Sequence, residues 1–295
     1  MKSGYVAILG VPNAGKSTLL NAILGDKIAA VSDKPQTTRK RLIGIHSTEE
    51  AQIIFLDTPG IHRSEKLLNR FLLSEISEAV SDADLLCYLV AVDQLIPEPL
   101  ITFFEEHQKT HPDKKTLVIL TKIDKSASWE AVGKEVARVF GGLKPIGVSA
   151  VTGAGLPEFL SAIETLLPEG PAYYPTDQLT DVHLRDISAE MIREKATGLT
   201  FEEVPYSLTV EIEAFKESPD LTRIEAVIYV EQESQKGIVI GKGGTQIKKI
   251  GTEARRDLEK LLDAKVFLDL HVKVDRNWTK DPAKLARHGY ATKRV

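Results

Sequence analysis

The sequence predicts a doubly wound α/β domain followed by a smaller α+β domain. Short, β-branched-rich apolar runs alternate with helical periodicity over roughly the first 167 residues. A proline-bearing stretch without periodicity follows, PEGPAYYPTDQLTD at 168–181. Beyond it the element order changes to helix, two strands, a glycine loop, a long helix and a last strand. YVAILG (5–10), IIFLD (53–57), LLCYLVAVD (85–93), TLVILT (116–121) and PIGVSA (145–150) read as buried parallel strands. The stretches 16–24, 67–80 and 155–167 read as helices between them, the alternation expected of a doubly wound sheet. In the second part, SAEMIREKA (188–196) reads as a helix. PYSLTVEIEAF and RIEAVIYVE read as strands, TQIKKIGTEARRDLEKLLD as a helix and VFLDLHVKV as a strand. The expected boundaries are 1–168, a linker at 169–180, and 181–295.

The 295 residues exceed one typical domain, and 42% hydrophobic with 27% charged residues is the balance of a globular protein. The longest apolar run, LLCYLVAV at 85–92, falls far short of the ~20 residues that span a bilayer. The start MKSGYVAILG runs directly into a glycine loop, so no signal peptide is expected. One cysteine, Cys87, excludes a disulfide framework and suits a reducing cytosol; inside the apolar run it reads as a core hydrophobe. His107 and His111 stand four apart without a third ligand nearby, which argues against zinc. The net charge of −4 conceals a reversal: residues 181–240 carry −7 and residues 241–295 carry +7. A basic tail on an acidic chain suggests a polyanionic partner met by one face.

Gly10-Val-Pro12-Asn13-Ala14-Gly15-Lys16-Ser17-Thr18 follows a strand and matches G-x4-G-K-[ST]. Small residues let backbone N–H groups turn inward around a phosphate, and the helix starting near Lys16 aims its positive end at the same anion. Lys16 can reach β- and γ-phosphate oxygens, and Ser17 can ligate Mg2+. Four further pieces stand at positions where such sheets bind ligands. Asp57-Thr-Pro-Gly60 supplies a carboxylate for Mg2+ through water and, at Gly60, an N–H for the γ-phosphate. Thr121-Lys122-Ile-Asp124 offers the Asp124 carboxylate to the N1–H and N2–H₂ edge of guanine, a donor pair adenine lacks; the Lys122 stem can lie along the nucleotide. Ser149-Ala150 can present backbone N–H groups to the base oxygen. Gln36-Thr37-Thr38-Arg39 supplies a threonine hydroxyl that reaches Mg2+ only when γ-phosphate is present; spacing alone does not choose between Thr37 and Thr38.

Together these pieces resemble the translation-factor class of small GTPase domains over residues 1–167. Two departures stand out. Thr121 occupies the place of the usual asparagine, removing an amide from the base site. Ile61 follows the DTPG motif where Ras-like enzymes place a water-orienting glutamine, so intrinsic hydrolysis is expected to be slow. Asn13 resembles the asparagine with which some relatives bind K+, although asparagine also suits loop turns.

The second glycine loop, Ile240-Gly241-Lys242-Gly243-Gly244, lacks the G-K-[ST] ending, so a second nucleotide site is not expected. It fits the G-x-x-G loop that, between two helices of a KH module, clamps about four unpaired nucleotides. Ile238, Ile240 and Ile247 offer an apolar seat for bases, and Lys248, Lys249, Arg255 and Arg256 follow along the helix. The tail adds Lys273, Arg276, Lys280, Lys284, Arg287, Lys293 and Arg294, interleaved with Trp278 and Tyr290. Trp278 is expected to pack against the sheet rather than stack on a base.

One Walker loop, a proline-bearing linker and a G-x-x-G domain, with AYYPTDQLTD, EMIREK, EVPYS and an ending built on Trp278 and Gly289-Tyr290, resemble the Era family of bacterial ribosome-assembly GTPases over nearly the whole chain. A GTPase with two tandem G domains is excluded. The resemblance implies an α/β doubly wound P-loop GTPase domain followed by a smaller α+β type II KH domain. It also implies GTP and GDP as ligands with Mg2+, slow GTP hydrolysis, binding of the 3′ end of 16S rRNA, and a role in 30S subunit maturation. It places Lys16, Thr38 and Gly60 in catalysis, and Ser17, Thr38 and Asp57 on Mg2+. The remaining implications are a cytoplasmic monomer with peripheral inner-membrane association. Two rivals are an RNA-binding module whose nucleotide is structural, and a P-loop NTPase whose C-terminal domain binds protein.

Overall fold

The structure is a computed structural model that describes all residues except 63–66, 219 and 292–295. Two compact units form. The first comprises 1–26, 38–63 and 72–181; the second comprises 27–37, 64–71 and 182–295.

In the first unit, β1 (Lys2–Leu9), β2 (Leu42–Ser47), β3 (Ala51–Asp57), β4 (Leu85–Ala91), β5 (Lys115–Thr121) and β6 (Ile146–Val148) form one sheet in the order β2-β3-β1-β4-β5-β6. Four of its five pairings are parallel; β2 lies antiparallel on β3. All seven residues of β3 and of β4 are buried, so both faces are covered, which explains their unbroken apolar runs. Five helices of this unit, α1 (Lys16–Leu24), α2 (Leu67–Asp82), α3 (Glu98–Thr110), α4 (Trp129–Val139) and α5 (Leu156–Leu166), follow in the chain, α2 beginning in the second unit's share of residues. Helix α1 stops at Gly25, whose left-handed backbone (φ 74°) returns its N–H to Asn21.

The sequence pattern had no strand at 42–47. Gly44 explains why. A Cβ there would stand 2.5 Å from Leu20 Cδ1, so the glycine admits the close approach of α1 to β2 rather than breaking the strand. The proline-bearing stretch is bonded along this edge. The Gln52 amide oxygen accepts from the N–H groups of Tyr173 and Tyr174, Ile45 donates its N–H to Leu179, and Thr180 donates to the Ile43 carbonyl. Cys87 is fully buried in β4, and burial pushes its thiol pKa far up, as expected of a core residue.

Register sets the site. Ile8 pairs with Asp57, Leu9 with Tyr88, Ala91 with Thr121, and Thr121 with Val148. The carboxyl ends of β1, β3, β4, β5 and β6 therefore open on one edge of the sheet, where ligands of such folds bind.

The second unit continues the chain with α6 (Leu184–Gly198), α7 (Val204–Ser207), β7 (Thr209–Lys216), β8 (Leu221–Val230), α8 (Glu233–Ile240), α9 (Thr245–Leu262), β9 (Lys265–Val274) and α10 (Pro282–Arg287). Its sheet runs β7-β8-β9, with β7 antiparallel and β9 parallel to β8. Its core joins Ile187, Met191 and Ile192 of α6 to Ile224, Ala226 and Ile228 of β8 and Ile250, Ala254 and Leu258 of α9. Trp278 is buried with its indole N–H on the Ser207 carbonyl (2.8 Å), the packing expected of it. Among the described residues no helix is long and apolar enough to cross a membrane.

Candidate functional site

The turn from β1 into α1 carries the first glycine loop. Asn13 (φ 63°) and Gly15 (φ 90°) both take left-handed backbone, which asparagine and glycine adopt most readily. The Lys16 ammonium is buried and donates to the Gly10 and Val11 carbonyls, each at 3.1 Å. Burial lowers its pKa to about 8, with Asp57 opposing that shift. The Asp57 loop packs directly on the glycine loop. Ile61 donates its N–H to Gly10 (3.0 Å), and a Cβ on Gly60 would come within 2.6 Å of the Pro12 nitrogen, so only glycine fits. The Ile61 side chain belongs to the hydrophobic core.

Three oxygen-bearing side chains converge beside Lys16. Ser17 donates to Asp57 Oδ2 (2.6 Å), and the Ser17 and Thr38 hydroxyls lie 3.0 Å apart. Thr37, the other candidate, donates its hydroxyl to the Lys34 carbonyl and belongs to the second unit. Asp57 is fully buried, and burial raises its pKa against the opposing Lys16 charge and hydrogen bonds from Ser17, Thr38 and the Thr58 backbone. Its Oδ1 is a buried oxygen without a hydrogen-bond partner. A buried carboxylate oxygen costs stability unless something positive meets it. Two hydroxyls and a carboxylate with an unmet oxygen suit a hard, oxygen-preferring cation such as Mg2+.

The base-reading pieces stand at the ends of β5 and β6. Thr121 donates its hydroxyl to the Ala14 carbonyl (2.7 Å), tying its loop to the phosphate loop. Lys122 takes left-handed backbone (φ 59°), and its ammonium pairs with Asp93 at the end of β4 (3.2 Å), which also holds Lys125 (2.9 Å). Asp93 was not singled out from sequence; its place just past a strand end was the only signal for it. Asp124 accepts the Ser149 hydroxyl. The Ser149 N–H is engaged by Ala154 within its own turn, which leaves Ala150 as the backbone donor of that pair.

In the second unit, the Gly241–Gly244 turn joins α8 to α9. Gly241, Gly243 and Gly244 all have φ between 61° and 77°. Nothing lies within 4 Å of a Cβ built on Gly243 or Gly244, so those two glycines serve conformation and open approach rather than packing. Lys242 is exposed. Beside this turn a cavity of about 340 Å³ runs between α9 and β9. Ile247, Lys248, Arg255, Phe267 and Leu270 are among its lining. Phe267 is half exposed and carries the Arg223 guanidinium 5.3 Å from its ring centre. The strand pattern found β9 but not which side chains face this opening, so Phe267 was missed. Ile240 is half-buried at the loop and Lys249 is exposed on α9, outside the cavity lining. Lys273 is engaged elsewhere on the sheet by Glu213 (2.7 Å). The tail is largely self-engaged: Asp275 holds Lys284 (2.7 Å) and Arg287 (2.6 Å), and Tyr290 stacks on Trp278. Lys293 and Arg294 lie outside the described residues.

Comparison with known proteins matches each half of this description. Residues 5–122 fit the family model described as 50S ribosome-binding GTPase, and residues 203–279 fit that of the KH domain. The chain is 45% identical to the GTPase Era of Geotalea daltonii, covering 98% of this chain and 97% of that one. It is 46% identical to that of Syntrophus aciditrophicus, over 98% and 95%. An Aquifex aeolicus Era variant bound to GDP·AlF4− superposes with a TM-score of 0.92 at 38% identity, over 99% of this chain and all of that one. An Era in complex with MgGDPNP and nucleotides 1506–1542 of 16S ribosomal RNA gives the same values. A P-loop GTPase domain followed by a KH domain, matched end to end at this level of identity, places the chain in the Era family of GTPases.

Proposed function

We propose that this GTPase is a slow nucleotide-dependent switch that binds the 3′ end of 16S rRNA through its KH domain and assists maturation of the 30S subunit. The convergence of Lys16, Ser17, Thr38 and Asp57 at one sheet edge carries the nucleotide half of this reading. Lys16 binds β- and γ-phosphate oxygens, and the backbone of Gly10, Pro12, Asn13, Ala14, Gly15 and Thr18 wraps the phosphates. Ser17, Thr38 and Asp57 would hold Mg2+, which neutralises charge on the transferring phosphoryl group when bound. The Gly60 N–H meets the γ-phosphate. Asp124 selects guanine, with Ala150 on the base oxygen, Ser149 orienting the Asp124 carboxylate, Lys122 along the nucleotide, and Thr121 anchoring the base loop to the phosphate loop.

Ile61 faces the core and presents no group to a water molecule, which accounts for slow turnover from this chain's own residues. K+ at Asn13 supplies additional positive charge; turnover in K+ then exceeds turnover in Na+, and equal rates remove that element. The RNA half rests on the open glycine turn beside an apolar cavity rimmed by Lys248 and Arg255, with Lys242 at the turn itself. Gly241, Gly243 and Gly244 bring backbone to phosphate, and Ile240 and Ile247 seat the bases. Lys249 and Lys273 contribute longer-range charge. GTP orders the Gln36–Arg39 and Asp57–Ile61 segments, and RNA binding tightens in response. The protein works in the cytoplasm as a monomer, with peripheral association at the inner membrane.

Crosslinking the chain to RNA in cells, beside a variant with Lys242→Asp and Gly243→Asp, tests this reading. Reads enriched on the 3′ end of 16S rRNA and lost in the variant are expected. No enrichment, or enrichment indifferent to the variant, would overturn it.

A further inference from the structure

The segment Lys27–Thr37 belongs to the second unit, although its ends are continuous with parts of the first. At one end it follows α1, which carries Lys16 and Ser17. At the other it delivers Thr38. Within it Ile28, Ala29 and Ala30 are buried. Four charged side chains hold it in a closed ring of alternating sign. Lys27 bonds Glu194 (2.7 Å) and Asp257 (2.8 Å); Lys195 bonds Glu194 (2.9 Å) and Asp257 (2.7 Å). The hub is Glu194 on α6. Its carboxylate is only 6% exposed, and its second oxygen accepts the Val31 N–H (2.8 Å). The neighbouring Arg193 donates to the Thr37 carbonyl, one residue from Thr38, and is braced by Glu190. The fourth corner, Asp257, lies on α9, the helix that begins at the Gly241–Gly244 turn.

Glu194 is the buried corner of a partly buried ring, so removing its charge leaves the two lysines with Asp257 alone as their shared partner and weakens the hold on the Val31 N–H, which loosens the segment. A segment fixed in this way transmits position along the chain. We infer that Glu194 is a positioning residue for the Thr38 hydroxyl, and that the ring it centres couples RNA on α9 to the nucleotide state. This inference rests on the reading above that Thr38 ligates Mg2+ and that α9 and its turn bind RNA. None of the four ring residues needs to touch either ligand. Glu194 acts through the backbone of Val31 and, with Arg193, through Thr37; Asp257 acts through the rigidity of α9.

The test measures affinity of the full-length protein for a single-stranded RNA of the 16S 3′-end sequence, loaded with GDP or with a non-hydrolysable GTP analogue. The wild-type ratio of the two affinities is expected to be about fivefold or more, the lower range of ordinary coupling. Glu194→Gln keeps the shape of the hub and removes its charge; it is expected to bring the ratio to within about twofold of one. Lys27 is one-third exposed and carries little folding risk, so Lys27→Met should reproduce the loss and Lys27→Arg should restore the ratio. Linkage requires the reciprocal: saturating RNA raises the analogue-to-GDP affinity ratio by the same factor in wild type and not in Glu194→Gln. A structural role alone would lower melting temperature in the variants without moving the ratio. An unchanged ratio in Glu194→Gln and Lys27→Met, with a wild-type ratio well above one, overturns the inference and leaves the proposed function standing. A wild-type ratio of one removes nucleotide–RNA coupling and this inference together. Absence of RNA binding in both nucleotide states instead removes the RNA half of the proposed function.

Discussion

The two glycine–lysine turns of this chain use the same backbone device for opposite settings. In both, left-handed residues bend the chain so that bare backbone faces outward just before a helix. At the first turn the lysine is buried, folded across carbonyls, with a buried carboxylate nearby. At the second the lysine is exposed, and the space over two of the glycines is open. A closed turn grips one small polyanion tightly. An open turn beside an apolar cavity can meet a long polyanion whose bases need room. The residue types are alike; burial of the lysine separates a nucleotide pocket from a strand clamp.

Replacing each lysine should separate the two turns. Lys16→Ala is expected to cut GTP turnover by about 100-fold or more, the usual cost of removing one preorganised charge donor, while RNA affinity in the GDP state stays unchanged. Phosphate release and RNA titration on the same preparation check this. Lys242→Asp with Gly243→Asp should weaken RNA binding by about tenfold or more while nucleotide affinity is preserved. The salt dependence should also flatten, since each lost phosphate contact on single strands removes about 0.7 from the log–log slope. If either variant impairs both ligands, the turns are not independent.

Protonation sharpens the contrast. Burial has lowered the Lys16 pKa to about 8, below its ordinary value near 10.5. The native state therefore binds fewer protons than the unfolded chain between these values, so this lysine's burial penalty is relieved as pH rises through that window. Nucleotide affinity moves the other way, because the phosphates need the cation. GDP affinity should fall as pH climbs through about 8, up to tenfold per pH unit beyond it, and Lys16→Arg should flatten the fall. The smallest effect expected is at Thr121. Thr121→Val deletes the bond to Ala14 and should weaken GDP binding by about five- to tenfold, the worth of one hydrogen bond. Thr121→Ser should retain most of the affinity.

The sequence disclosed most strands and both turns because they rest on local signals: apolar runs, glycine spacing and strand-to-helix order. It disclosed less where a residue's meaning depends on a distant neighbour. Gly44 reads as a breaker until Leu20 is seen against it. The choice between Thr37 and Thr38 turns on which hydroxyl reaches Ser17, which spacing does not specify. Asp93 and Phe267 have ordinary local contexts; their importance comes from Lys122 and from the cavity beside α9. Glu194 falls within a helix legible from its periodicity, but two of its partners, Lys27 and Val31, lie on a segment more than 160 residues away in sequence.

Cys87 gives the first unit a built-in clock. It is the one thiol in the chain, it sits in a strand paired on both sides, and burial holds it in the unreactive protonated form. An alkylating reagent can reach it only when β4 parts from its neighbours, so the rate of labelling reports how often the sheet opens. Bound GDP should slow that rate in proportion to its saturation, because ligand must leave before the strands do. The ratio of labelling rates with and without nucleotide then reads ligand affinity from the centre of the sheet, with no added probe.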